Sequence, residues 1–235
     1  MFEYVTKDEY RPVREELEKI IKSAQKIMKK VHDISFQFRL IGSGGRHLIT
    51  REVKGNKGYD FDYNLIIPTP TDFKWNAKVV KEQFMNAFKK ALKGYKYSDP
   101  QDSTSSFTIK VVDKNHNKIE HSCDFAIIYY DEGIAENGYY YLRNNKNQGR
   151  YSFEFRELSR NVDGKLEEIK EYYEHGWNIV RDEYLKVKNN NKDPNKHSFV
   201  LYLEAVNNVY NQMMLDQYDD ENEERNNYYY DDDDE

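Results

Sequence analysis

Apolar residues recur three or four positions apart early in the chain, at Val13, Leu17, Ile20, Ile21, Ala24, Ile27, Met28 and Val31. That period puts them on one stripe of a helix, with Pro12 at a first turn that tolerates it. The pattern then shortens. "SFQFRLI" (35–41) alternates and stops at Gly42, and "FDYNLII" (61–67) stops at Pro68, so both read as strands. Helical spacing returns over about 76–94 through Val80, Phe84, Ala87, Phe88, Ala91 and Leu92. "FTIKVV" (107–112), the turn-rich "DKNHNK" and "IEHSCDFAIIYY" (119–130) then read as an antiparallel hairpin.

Helix, strand, strand, helix, hairpin specifies an α+β domain whose mixed sheet has helices on one side. Beyond Asp131, "NGYYYLRNNKNQGRYSFEF" suits an aromatic hairpin around its Asn/Gly loop. From about Asp163 the reading is two helices, 164–188 and 194–217, separated by "NNNKDPN", in which Asp193 caps and Pro194 takes the first turn. The expected organisation is therefore a core over 1–135, a mainly helical region over 136–217, and a flexible acidic Tyr/Asp-rich tail over 218–235. No internal repeat is present.

Composition sets the compartment and the charge. No apolar run approaches the roughly 20 residues that span a bilayer, and the N-terminus lacks the charged and apolar regions of a signal peptide. With Cys123 as the single cysteine there is no internal disulfide, so a cytoplasmic, non-membrane protein is expected. The net charge of −6 is uneven, because residues 216–235 hold eleven acids and one arginine. Taking these from 36 basic and 42 acidic residues leaves 35 against 31, a mildly basic body suited to an anionic ligand. The tail reads chiefly as a solubilising extension.

The chemistry concentrates in the acids. Asp60 and Asp62 lie two apart on a strand, so both project from the same face. Two unpaired carboxylates in a sheet core raise each other's pKa and are costly to desolvate. Solvent exposure at a strand end relieves this, and so does a divalent cation with hard oxygen ligands. Asp124 in "SCDFAII" is a third acid in an apolar strand. Just upstream of the pair, Gly42-Ser43 offers backbone N–H groups and a hydroxyl to a phosphate, and Arg46, Arg51, Lys54 and Lys57 follow.

"GS…YDFDYNLII…CDFAII", in this order of elements, resembles the nucleotidyltransferase fold of the polymerase-β superfamily. The C-terminal "YLKVKNNN" and "KHSFVLYLEAV" are similar to the oligoadenylate-synthase and bacterial cyclic-oligonucleotide-synthase branch, so the resemblance covers about 13–211. It implies a nucleotidyltransferase-type mixed sheet followed by a helical region, with transfer of a nucleoside monophosphate from an NTP to a hydroxyl. By the same resemblance Asp60, Asp62 and Asp124 are the catalytic and metal carboxylates for Mg²⁺ or Mn²⁺. Gly42, Ser43 and Arg46 hold nucleotide phosphates, and Lys186 and Ser198 reach the triphosphate, with Lys188 the alternative to Lys186. The acceptor is open: a second nucleotide is favoured, and a protein hydroxyl or an RNA 3′ end are the rivals, as is a non-catalytic nucleotide-binding module. Sixteen residues lie between Ser43 and Asp60, a longer gap than the family usually shows and one that suits an inserted hairpin, in which case neither Arg46 nor Arg51 need have a phosphate role.

Other motifs have plainer readings. His47 reads as a surface histidine, and His121-x-Cys123 lacks partners at zinc spacing. The glycines at 42, 44 and 45 do not form a dinucleotide fingerprint. The "YYY" runs at 139–141 and 228–230 suit packing and surface better than base stacking, since no basic pattern interleaves them.

Overall fold

The computed structural model describes residues 1–70, 75–158 and 161–230. The chain divides into two compact units, Met1–Leu158 and Ser159–Glu235. The boundary thus falls at 158 and not near 135, because the aromatic hairpin is part of the sheet of the first unit.

The first unit opens with strand β1 (Phe2–Tyr4), which pairs antiparallel with β3 (Thr50–Glu52). This is what the long gap before Asp60 contains, a strand added to the N-terminus. Helix α1 (Lys7–His32) follows, with Thr6 and Glu9 forming a reciprocal capping box that satisfies the first orphan N–H groups. Leu17, Ile20, Ile21, Ala24 and Met28 are wholly buried, while Val31, the last member of the expected stripe, is 53% exposed in the final turn. Helix α3 (Ala77–Ala91) is capped by the Asn76 side chain and buries Val80, Phe84, Ala87 and Phe88.

These helices cover the main sheet, whose order is β2 (Gln37–Ile41), β4 (Tyr59–Ile66), β7 (Lys118–Tyr129), β6 (Phe107–Asp113), β5 (Gln101–Asp102). The pair β4–β7 is parallel, whereas β2–β4, β6–β7 and β5–β6 are antiparallel, so the sheet is mixed as expected. Twelve-residue β7 runs past β4 and also pairs antiparallel with β8 (Gly138–Asn145), which is joined to β9 (Arg150–Glu157). The core lies under the helices: Phe61, Tyr63 and Leu65 of β4, Phe107 and Ile109 of β6, and Cys123, Phe125 and Ile127 of β7 meet Phe84 and Phe88. Each such large side chain contributes roughly 1.5–3 kcal/mol through burial, so this layer fixes the strand register.

The second unit holds α4 (Asn161–Tyr172), α5 (Gly176–Asn190) and α6 (Ser198–Tyr230). The expected single helix over 164–188 is two, broken at Tyr173–His175. The break brings Gly176 against α4, where a Cβ would stand 2.5 Å from the Ile169 carbonyl oxygen. The next helix begins at Ser198 and not at Pro194, because Asp193 and Pro194 are spent on a turn in which Asp193 Oδ1 accepts from the Asn195 amide at 2.9 Å. The tail expected to be flexible from 218 continues α6, with Tyr172 donating to Asp220 Oδ2 at 2.9 Å; residues 231–235 lie outside the described residues. No helix among the described residues is long and apolar enough to cross a membrane.

Candidate active site

Alternation along β4 sends Phe61, Tyr63 and Leu65 into the core and Asp60, Asp62 and Asn64 to the other face. On β7 the same alternation buries Cys123, Phe125 and Ile127 under the helices and turns Ser122, Asp124 and Ala126 the other way. The parallel register then makes Asp60 the partner of Ser122, and Asp62 the partner of Asp124. The like charges are thus spared the helix-covered core by one step of strand periodicity. They remain close on a face partly closed to solvent.

Hydroxyls, not cations, accompany them. Ser122 Oγ donates to Asp60 Oδ1, and Thr108 Oγ1, across the β6–β7 ladder, donates to Asp124 Oδ1. Among the described residues, no lysine or arginine forms an ion pair with any of the three acids. Burial first, then the charges of Asp124 and Asp60, push Asp62 up to about 7. Burial also raises Asp124; the Thr108 bond opposes this, and the Asp60 charge adds to the rise. Asp62 and Asp124, raised in proton affinity and without an ion-pair partner among the described residues, form a site that a cation would stabilise.

The donor set of three hard oxygen groups on adjacent strands fits a divalent metal in chemistry and in backbone placement. The side-chain positions do not themselves gather a cluster: among the described residues, no three His, Cys, Asp or Glu side chains sit together as metal ligands. Two of the acids instead accept hydrogen bonds from Ser122 and Thr108.

Next to Asp62, β2 ends and Gly42–Gly45 forms one helical turn, α2. Gly42 has φ +61°, and a Cβ there would lie 2.6 Å from Asp62 Oδ2. Only glycine allows this backbone both the conformation and the approach. Arg46 Nη1 donates to the Gly42 carbonyl at 3.3 Å, so the arginine braces the turn. Ser43 lies within the turn, its carbonyl accepting from the Leu48 amide at 2.8 Å. His47, φ +57°, meets the Tyr10 hydroxyl through Nδ1 at 2.9 Å and is thereby tied to α1.

Beside Asp62 and Asp124 is a cavity of about 170 Å³, lined also by Ile41, Asn64, Ser105, Ser106, Tyr139, Tyr141 and Arg156 among others. The Arg156 guanidinium stacks over the Tyr141 ring at 4.2 Å. Sequence reasoning sets Tyr139 and Tyr141 aside as packing or surface, and it does not single out Asn64, Ser105, Ser106 or Arg156. The signal was present only as alternation in "YYYLRNN" and "RYSFEFRE", which puts Tyr139 and Tyr141 on one face of β8; that this face adjoins Asp124 depends on the pairing of β7 with β8.

In the helical unit, Lys186 Nζ bonds Glu183 Oε2 at 3.0 Å and is 69% exposed. The lysine beside Ser198 is Lys188, its Nζ 3.2 Å from Ser198 Oγ and 3.3 Å from the Tyr184 hydroxyl. One helical turn separates α5 residues that share a face, so Lys188 and Tyr184 go together where Lys186 does not.

No family model matches the sequence, and no curated protein does. Solved structures do. The Vibrio cholerae cyclic AMP-GMP synthase DncV, in complex with the linear intermediate 5′ pppA(3′,5′)pG, superposes with a TM-score of 0.58 at 11% identity, over 88% of this chain and 68% of that one. The 3′-deoxy ATP form of the same protein gives 0.57 at 10% identity, over 88% and 68%. Escherichia coli DncV in its 3′-deoxy GTP form gives 0.57 at 11%, again over 88% and 68%. The chain has the nucleotidyltransferase fold.

Proposed function

We propose that this chain is a template-independent nucleotidyltransferase that moves a nucleoside monophosphate from an NTP to a hydroxyl, with a second nucleotide as the preferred acceptor. The observation that carries the reading is the Asp62–Asp124 register pair: two carboxylates with raised proton affinity, beside a glycine turn, with no described cation to neutralise them. The solved neighbours bind nucleoside triphosphates or their analogues, and one holds a linear dinucleotide; their products motivate the choice of acceptor.

In the reaction, the acceptor hydroxyl oxygen attacks the α-phosphorus, the bond from that phosphorus to the bridging oxygen breaks, and pyrophosphate leaves. Asp60, Asp62 and Asp124 would hold Mg²⁺ or Mn²⁺, which when bound neutralises triphosphate charge and lowers the pKa of a coordinated hydroxyl. Asp124, with its raised proton affinity, is suited to take the hydroxyl proton. Gly42 leaves the backbone open for phosphate beside Asp62, and Ser43 and Arg46 shape that turn. The cavity has the volume of about six waters, the scale of one planar heterocycle, and Tyr139, Tyr141 and Arg156 give it the stacking surfaces a base uses.

The purified protein is incubated with each labelled NTP and Mg²⁺ or Mn²⁺, and products are separated by size. Small-molecule products support the reading. Label on protein or on added RNA replaces the acceptor, and NTP binding without product reduces the protein to a nucleotide-binding module.

A further inference from the structure

Lys81 is the one lysine among the described residues that is buried, with its side chain 2% exposed. Its ammonium lies 2.5 Å from Asp102 Oδ1 and donates to the Ser103 carbonyl at 2.7 Å. Asp102 Oδ2 in turn accepts from Asn144 Nδ2 at 2.8 Å and from the Tyr151 hydroxyl at 2.7 Å. The network therefore joins α3, β5 and the β8–β9 hairpin.

What it surrounds is the turn between β5 and β6. Asp102 pairs with Phe107, so Ser103, Thr104, Ser105 and Ser106 close the hairpin. The Ser103 amide donates to the Ser106 carbonyl at 3.0 Å, and Ser103 Oγ lies 2.8 Å from both the Ser106 carbonyl and Ser106 Oγ. From outside, the Asn144 amide donates to the Thr104 carbonyl at 2.7 Å. The far side of this turn, Ser105 and Ser106, is a wall of the cavity beside Asp62 and Asp124, and Thr108 two residues later holds Asp124.

A buried ion pair is a poor device for stability, because desolvation offsets its Coulomb gain and an apolar replacement of similar volume is often as stable. It is a good device for geometry. A buried ammonium has donors to satisfy and little freedom to move, so it holds the oxygens around it in place.

We propose that Lys81 is a positioning residue for substrate selection: with Asp102 it sets the turn 103–106 so that the hydroxyls of Ser105 and Ser106 meet a polar edge of the base in the cavity. The inference rests on the nucleotide reading above and assigns specificity within it. Lys81 touches no reacting atom.

The test is the double variant Lys81→Met with Asp102→Asn, which buries no lone charge and keeps an acceptor for Tyr151 or Asn144. Amide exchange at 103–106 should quicken while Tm stays within a few degrees. The KM for ATP or for GTP should rise about ten-fold, the worth of one placed hydrogen bond, with kcat kept within about two-fold. Ser106→Ala alone should raise the same KM, and the two changes together should be less than additive, since one acts through the other. A loosened turn with unchanged KM, additive effects, or a collapse of Tm with kcat and KM moving together overturns the proposal. If wild type makes no product, the Kd for ATP and for GTP replaces KM: binding weakened in the variant supports the positioning role although transfer has failed. A wild type that binds neither nucleotide overturns both.

Discussion

Asp62 of β4 and Asp124 of β7 are direct register partners across the parallel pair, and each has its proton affinity raised. A cation beside the pair, or a proton held by it, would relieve the repulsion of two ionised carboxylates.

Replacing Asp62 by Asn should lower turnover by about a thousand-fold or more. The Tm in chelator should not fall, since the substitution removes a like charge that burial already disfavours. Steady-state rates and a thermal melt of the same preparation check this, and retained turnover counts against the assignment.

Gly42→Ala should be as damaging to rate as its distance to Asp62 implies. The new Cβ stands 2.6 Å from Asp62 Oδ2 at a backbone φ of +61°. The strain costs about 1–3 kcal/mol, and the displaced carboxylate should cost about 100-fold in kcat, as misplacement of a reacting group does. The measured split between Tm and kcat separates the two effects.

Among the helical-unit cations, Lys188 and not Lys186 should matter for nucleotide affinity. Lys186→Met removes an exposed ion pair worth under about 1 kcal/mol, so Kd for ATP should move less than about two-fold. Lys188→Met removes the cation paired with Ser198 and should weaken ATP about ten-fold, as loss of a charge-assisted contact does. Titration calorimetry on both variants decides it, and equal effects would return the role to Lys186.

Acid stability should report His121. Buried against Tyr97, whose hydroxyl lies 3.0 Å from its Nε2, the imidazole is pushed down from 6.5 to about 4 by desolvation. A folded-state value below the unfolded one stabilises above the unfolded value, and that contribution is lost as pH falls toward the folded one. Stability should therefore decline between about pH 6.5 and 4, by at most about 1.4 kcal/mol per pH unit from this group. His121→Phe should flatten that segment of a Tm-against-pH curve, and an unchanged slope would exonerate the residue.

Much of this was readable before any coordinates. The spacing put Asp60 and Asp62 on one face of a strand and Asp124 in the apolar run 119–130, and helical spacing located α1 and α3. Thr108 and Ser122 were not readable as partners of the acids, because which residues oppose each other depends on whether strands run parallel or antiparallel and on a register that the core sets. Three-residue strands such as β1 and β3 have too little periodicity to announce themselves. The choice between Lys186 and Lys188 was not readable either: two lysines two apart on a helix point to different sides, and only the packing of Lys188 against Tyr184 and Ser198 tells them apart.

The parallel pairing of β4 with β7 also has a kinetic meaning. Its two strands are joined through α3, β5 and β6, so the closing contact comes late in sequence and must overcome the entropy of a long loop. Local hairpins and helices can form without it, yet none of them contains both Asp62 and Asp124. A nascent or partly unfolded chain would consequently carry no fraction of the proposed activity, and recovery of any turnover on refolding should track the slowest long-range step.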